Sequence, residues 1–294
     1  MSSAATRVAC RGGDRPVLSG TVFAVVLLGA ALHAAWNVTV RGAADRRREM
    51  ALVVGGAGVI SAALLPFLPG IRAEAIPFLV ASGLLHVIYF ALVAEAYAHG
   101  AVALAYPVMR GAAPALSALV ASLVFAEALP LLGWLGVAAV CGGVLLLARR
   151  GRQGTADEAK AIRFALVNAL VIAAYTVVDA AGARASGSPL AYTAWSFLAP
   201  LPVLLPWLLR GRAAPPRAAE IARGLGGGAC TLGAYAAALW AMTQAPVAPV
   251  AALRETSTLF GLVLARVLLG ERPGAVGWIA AGAIAAGAAL LRLA

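Results

Sequence analysis

Ten stretches of the chain are apolar for roughly 20 residues each, the length a helix needs to cross a hydrocarbon core of about 30 Å. They run approximately over 18–40, 50–69, 76–98, 101–124, 130–148, 163–182, 190–209, 222–243, 246–269 and 274–292. Several polar breaks are only a few residues long, as at Ala98 to Gly100 and around Glu271 to Gly274, so neighbouring helices run antiparallel. The first run follows Arg7, Arg11 and Arg15, as a signal peptide's would. It exceeds the roughly 7 to 15 apolar residues of a cleaved leader and reads as a retained helix. The longest break, Arg149 to Arg163, is polar and charged. It divides the chain into a tail (1–17), a five-helix unit (18–148), a linker (149–162) and a second five-helix unit (163–292). The expected fold is an all-α membrane protein of ten transmembrane helices.

The two units echo one another. Displacing the chain by 144 residues against itself lays Arg110 on Arg254, Glu127 on Glu271, Gly133-Trp134 on Gly277-Trp278 and Gly143 on Gly287. Chance similarity between Ala/Leu-rich helices is the alternative, and it is the weaker one because the matched positions are the rare charged and aromatic ones. An odd number of spans per half makes the second copy enter the membrane from the opposite side. The pattern therefore predicts two inverted five-helix repeats, which in membrane proteins accompany transport by alternating access.

Composition narrows the classes further. Apolar residues make up 62% and charged residues 12%, which excludes a soluble domain, a disordered tail and a disulfide-stapled secreted module. Cys10, Cys141 and Cys230 are odd in number and widely scattered, with neither a bridge framework nor metal-ligand spacing. The net charge of +11 comes from short clusters between apolar runs instead of one basic stripe. It reads as membrane-flanking charge, with no nucleic acid as partner. All basic residues but Lys160 are arginine, and with the Ala, Gly and Leu usage this suggests a GC-rich bacterial genome and the bacterial inner membrane as the compartment.

The segments His33-Ala34-Ala35-Trp36-Asn37, Tyr106-Pro107-Val108-Met109-Arg110-Gly111 with Pro114, and Leu253-Arg254-Glu255-Thr256-Ser257 through Gly270-Glu271-Arg272 resemble the EamA-like permeases of the drug/metabolite transporter superfamily. The resemblance runs from about residue 20 to 292, and the order and spacing of the segments carry it more than any one of them. It implies ten helices in two inverted repeats that move small metabolites without ATP. Members carry amino acids, nucleotide sugars, other metabolites or drugs, so no single substrate follows. One departure is Ala180 after Asp179, where relatives often have glycine, which puts close packing of the sixth helix in question. Orientation divides the arguments. Fourteen basic residues lie in or beside the connections after helices 1, 3, 5, 7 and 9, against six at the termini and other connections, so the positive-inside rule puts both termini outside. Ten-helix relatives are thought to keep both inside; for this chain the charge count is followed.

The candidate chemistry lies in the few polar residues inside the spans. Arg110 falls roughly 13 Å into the fourth helix, near the midplane, where an arginine costs about 2.5 to 3.5 kcal/mol and needs a partner or a wet cavity. Tyr106, Arg110, Pro114 and Ser117 share a face, and Arg254 holds the equivalent place in the ninth helix with Thr258 and Gly261 on its face and Glu255 beside it. Either arginine equally suits a structural role, bonding carbonyls freed by Pro107, Pro114, Pro246 or Pro249. Asp179, on a face with Tyr175 and Thr176, and Glu95, four residues before His99, are the acids that suit proton exchange. A solvated helix end or a structural partner for an arginine is the blander role for both. Glu127 and Glu271, at helix C-termini, read as structural groups bonding loop amides. His33, Trp36 and Asn37 share a face of the first helix and either line a cavity or bond between helices. The three histidines offer little for haem, and the Asn37-Val38-Thr39 sequon lies too close to the membrane for glycosylation.

No Walker loop is possible around the single lysine, and neither His-Glu-x-x-His nor Gly-x-Ser-x-Gly occurs. The expected protein is a secondary transporter of a small polar metabolite, anionic or zwitterionic, without cofactor or metal. Arg110, Arg254, Tyr106, Tyr175, Asp179, Trp36 and Asn37 are the expected substrate-binding residues, and Asp179 and Glu95 the proton-coupling ones. The lipid bilayer and the substrate are its expected partners, with a homodimer left open. The alternatives are an integral membrane enzyme acting on a lipid or isoprenoid phosphate, and a non-transporting partner subunit whose midplane charges are dispensable.

Overall fold

The computed structural model describes residues 17–100, 102–149, 156–210, 215–270 and 274–294. Most of the tail, linker residues 150–155 and Glu271 lie outside the described residues. Secondary structure among the described residues is helical: α1 (Gly20–Gly42), α2 (Arg46–Leu64), α3 (Ile76–His99), α4 (Val102–Phe125), α5 (Leu131–Ala148), α6 (Ala156–Ser186), α7 (Pro189–Leu198), α8 (Leu201–Leu209), α9 (Ala218–Gln244), α10 (Val247–Arg254), α11 (Ser257–Leu269) and α12 (Ala275–Leu293). Among these residues nine units are long and apolar enough to cross a membrane, α10 and α11 acting as one. The bent pair α7–α8 makes a tenth. Large apolar side chains such as Leu123, Val267 and Leu84 point outward, as hydrocarbon solvent requires.

Local chemistry sets the helix ends. Ser19 caps α1 by accepting from Val22 N at 3.2 Å, and Asp45 caps α2 from Arg48 N at 3.0 Å. Gly270 closes α11 in the left-handed conformation, with φ of 68°. The sixth helix starts earlier than its apolar run because Asp157 and Glu158 occupy a first turn outside that run, where the helix dipole favours them.

Two expected spans are broken. The run 190–209 bends by 43° between α7 and α8, where Pro200 and Pro202 remove backbone donors. The run 246–269 breaks at Glu255 and Thr256. There the ladder tightens to Glu255 N–Ala252 O (3.0 Å) and Thr256 N–Leu253 O (3.1 Å), while the Thr256 hydroxyl competes for the same Leu253 carbonyl at 2.7 Å. Pro107 and Pro114, by contrast, are absorbed within a continuous α4.

The first helix of each half packs into the other half: α1 lies on α9, α10 and α11, and α6 on α3 and α4. Helices α5 and α12 meet at glycines. A Cβ on Gly143 would meet Ile284 and the Ala280 carbonyl, and one on Gly287 would meet Val140 and the Gly136 carbonyl. Ala180, the departure noted in the sequence, is fully buried, and close approach is supplied instead by Gly182, against which the Tyr192 ring lies.

The antiparallel order sorts the ends of the bundle into two rims. One carries the chain near Leu18, where Arg292 donates to the Leu18 carbonyl at 3.0 Å, together with the α4–α5, α6–α7 and α9–α10 turns. The other carries the α1–α2, α8–α9 and α11–α12 turns and most of the arginines.

Candidate functional site

Arg110 and Glu255 form a two-point ion pair inside the bundle. Arg110 Nη2 lies 2.7 Å from Glu255 Oε1, and Nε donates to Oε2 at 3.2 Å. Both residues are buried, at 8% and 4% exposure, so each charge has the other as its compensation. The break between α10 and α11 makes this possible, because it sets the Glu255 side chain at a turn facing α4. Neither Arg110 nor Arg254 is bonded to a carbonyl freed by proline among the described residues. Beside the pair a narrow crevice, with about 10 Å³ open to a water centre, is lined by Arg110, Ser117, Tyr175, Thr176, Arg254 and Glu255. That is room for one water molecule at most.

Both arginines therefore meet at one crevice, but their situations differ. Arg254 is half-buried, with its guanidinium 5.3 Å from the centre of the Tyr235 ring. Among the described residues no hydrogen bond or ion pair holds it. The Tyr235 hydroxyl donates to Asp179 Oδ2, and the Tyr192 hydroxyl donates to Oδ1 at 2.9 Å, so the fully buried Asp179 carboxylate is satisfied by two phenols. Tyr175 stacks on His86 at 4.5 Å and meets Tyr89 edge-on at 5.9 Å. His86 Nδ1 donates to its own helix at Ser82 O, at 2.8 Å.

The remaining expected residues are spread more widely. Tyr106 sits one turn before Arg110 on α4, half-buried. Asn37 spends its amide on the His33 carbonyl at 2.7 Å. Trp36 meets the His33 ring edge-on at 5.3 Å, and its buried Nε1 has no acceptor among the described residues. Glu95 is not brought to the crevice: its carboxylate is exposed and 3.9 Å from His99 Nδ1 near the end of α3. Glu127 accepts from Val247 N at 2.7 Å and from Arg184 at 2.8 Å, which makes it the cap of α10. Arg184, unremarked in the sequence, bonds the carbonyls of Met242 (2.8 Å) and Ala245 (3.3 Å) and closes that rim.

Sequence reasoning named Glu255 only as a neighbour of Arg254, and missed Tyr235, Tyr192, Tyr89 and His86 as a group. The signal for Glu255 was available, since a midplane arginine demands a partner and few acids lie inside spans. A larger cavity of about 500 Å³ opens at the arginine-rich rim, lined by Thr39, Arg48, Glu49, Glu220, Arg223 and Leu268. Ion pairs Arg48–Glu220 and Arg223–Glu49, each at 3.3 Å, cross it from α2 to α9.

A bundle of apolar helices with buried charges at a discontinuous helix defines a multi-pass membrane protein. Comparison with known proteins makes the class specific. Residues 159–293, just under half of the chain, match the EamA-like transporter family, so the second half of the chain is similar to an EamA-like unit, consistent with a membrane transporter of the drug/metabolite type. Among curated proteins none matches. A solved structure titled "Crystal structure of protein" is similar, with a TM-score of 0.70 and 19% identity over 92% of this chain and 96% of that one; it speaks for the fold alone.

Proposed function

We propose that the protein is a secondary transporter of a small anionic or zwitterionic metabolite, working by alternating access in a bacterial inner membrane. The observation that carries the substrate class is Arg254, an intramembrane guanidinium at a crevice whose one carboxylate among the described residues, Glu255, is hydrogen-bonded to Arg110. A planar fork in that position suits a carboxylate or phosphate. Arg110, held by Glu255, and Tyr175 line the same crevice, and Tyr106, Trp36 and Asn37 are proposed to line the path to it.

Two features support inverted repeats of five helices (18–148 and 163–292). Under the 144-residue displacement Gly143 and Gly287 exchange places, and so do their neighbours, Ala280 with Gly136 and Ile284 with Val140. Reciprocal contacts are what a two-fold axis produces. The rims also differ: the arginine-rich one has a cavity of about 500 Å³, while the Arg184–Glu127 bonds tie the other shut. That asymmetry fits one end state of an alternating cycle. Proton coupling is proposed through Asp179, whose partner Tyr235 carries the crevice residue Arg254 on its ring, in preference to the peripheral Glu95. The family match lends the enzyme alternative no support.

The test is uptake and efflux profiling of a metabolite panel in cells with the protein, without it, and with Arg254→Gln. Gradients of a carboxylate or phosphate compound that depend on the protein and collapse with Arg254→Gln are expected. Transport confined to neutral or cationic compounds, or indifferent to Arg254→Gln, refutes the reading.

A further inference from the structure

Asp179 and Arg254 belong to different helices and do not touch, yet one side chain contacts both. Tyr235, on α9, donates its hydroxyl to the Asp179 carboxylate and presents its ring face to the Arg254 guanidinium. The second phenol on Asp179, Tyr192 of α7, has no contact with an arginine among the described residues; its ring lies against Gly182. We propose that Tyr235 is a positioning residue that ties the Asp179 carboxylate to Arg254, so that neutralising Asp179 changes how firmly Arg254 holds an anion. This rests on the reading of Arg254 as the substrate-binding cation.

An ionised carboxylate accepts from both phenols through charge-assisted bonds, roughly twice as strong as neutral ones. Such bonds fix the Tyr235 ring on the α6 side, and the ring keeps the guanidinium on its face. A neutral Asp179 must itself donate one proton, the bonds weaken, and the ring and guanidinium gain freedom to turn toward the crevice. The loss of a nearby negative charge also favours an anion there. Proton and anion thus bind with positive, reciprocal coupling. Other groups that face this locus are Tyr175 on α6, His86 on α3, which stacks on Tyr175 and lies 6.3 Å from the Tyr235 ring, Tyr89 on α3, edge-on to Tyr175, His33 on α1, whose imidazole interacts electrostatically with Arg110 and Arg254, and the Arg110–Glu255 pair. The two imidazoles are removed one at a time as controls, His86→Gln and His33→Gln.

The test is a double-mutant cycle on the full chain in nanodiscs. Arginines are labelled with 2,3-butanedione and followed residue by residue by mass spectrometry, with the exposed Arg266 as internal reference. Acetate and sulfate, stand-ins for a carboxylate and a phosphate, are the protecting probes. Asp179→Asn, representing the neutral carboxyl, is expected to tighten anion protection of Arg254 by about fivefold or more. In a Tyr235→Phe background the same change is expected to shift protection by less than about twofold, and in a Tyr192→Phe background to act as in wild type. His86→Gln and His33→Gln should each retain any pH dependence of protection that Tyr235→Phe abolishes. An equal effect of Asp179→Asn in the Tyr235→Phe and wild-type backgrounds overturns the proposal. If neither anion protects Arg254 in any variant, the anion-site reading fails, and the unprotected labelling rate of Arg254 still decides the coupling through the same cycle.

Discussion

The Arg110–Glu255 pair allows a prediction with a magnitude. Its two charge-assisted bonds, at 2.7 and 3.2 Å, are each worth about 1.5–3 kcal/mol net. Arg110→Lys keeps the charge and one bond but loses the fork, so a destabilisation of about 1.5–3 kcal/mol is expected. Glu255→Gln is worse, because it leaves Arg110 charged and uncompensated at mid-depth; removing one partner of a buried pair costs about 3–5 kcal/mol. Replacing both by methionine removes the stranded charge as well as the pair, and should cost less than Glu255→Gln alone. Equilibrium unfolding in mixed micelles, titrated with sodium dodecyl sulfate, measures all three against wild type. Glu255→Gln within about 0.5 kcal/mol of wild type would refute the reasoning, as would a double methionine variant that costs as much as Glu255→Gln or more.

Three further outcomes are expected. Gly287→Leu should abolish the folded protein because its Cβ meets the Gly136 carbonyl at 2.8 Å, whereas Gly142→Ala and Gly282→Ala, which meet nothing within 4 Å, should leave thermal unfolding unchanged or slightly raised. Glu127→Gln should cost about 1–3 kcal/mol by weakening the cap on Val247 N and the Arg184 contact, read in the same micelle titration. A cytoplasm-only fluorescent reporter fused after Ala294 should stay dark, because the arginine-rich rim is the opposite one; full fluorescence contradicts the charge count.

Much of this architecture was legible because its physics is one-dimensional. Apolar runs long enough to span are additive along the chain, and they located every helix or bent pair that is long and apolar enough to cross among the described residues. The two breaks were not legible, since nothing in the run 246–269 distinguishes Thr256 from any other span threonine until its hydroxyl is seen on the Leu253 carbonyl. The arginines were found from their rarity, but their unequal roles depend on which acid reaches which guanidinium. Spacing alone could not place Tyr235 against Asp179, 56 residues away, or bring Arg184 to the α9–α10 turn. Such contacts depend on how α6, α9 and α10 pack, a property of the assembled bundle.

The inequality of the two arginines has a packing origin. If the halves were strictly equivalent, the partner of Arg254 would stand at position 111, the counterpart of Glu255 under the 144-residue displacement, and position 111 is glycine. Gly111 lies within continuous α4, where a Cβ would come 2.7 Å from Leu145 Cγ and 3.1 Å from its backbone nitrogen. The contact of α4 with α5 therefore excludes any side chain there, while the turn between α10 and α11 gives Glu255 the room it needs. The same repeat that duplicates the cation forbids duplicating the anion. One arginine is then locked into the scaffold and the other is left facing the crevice, which is the asymmetry on which the proposed anion site rests.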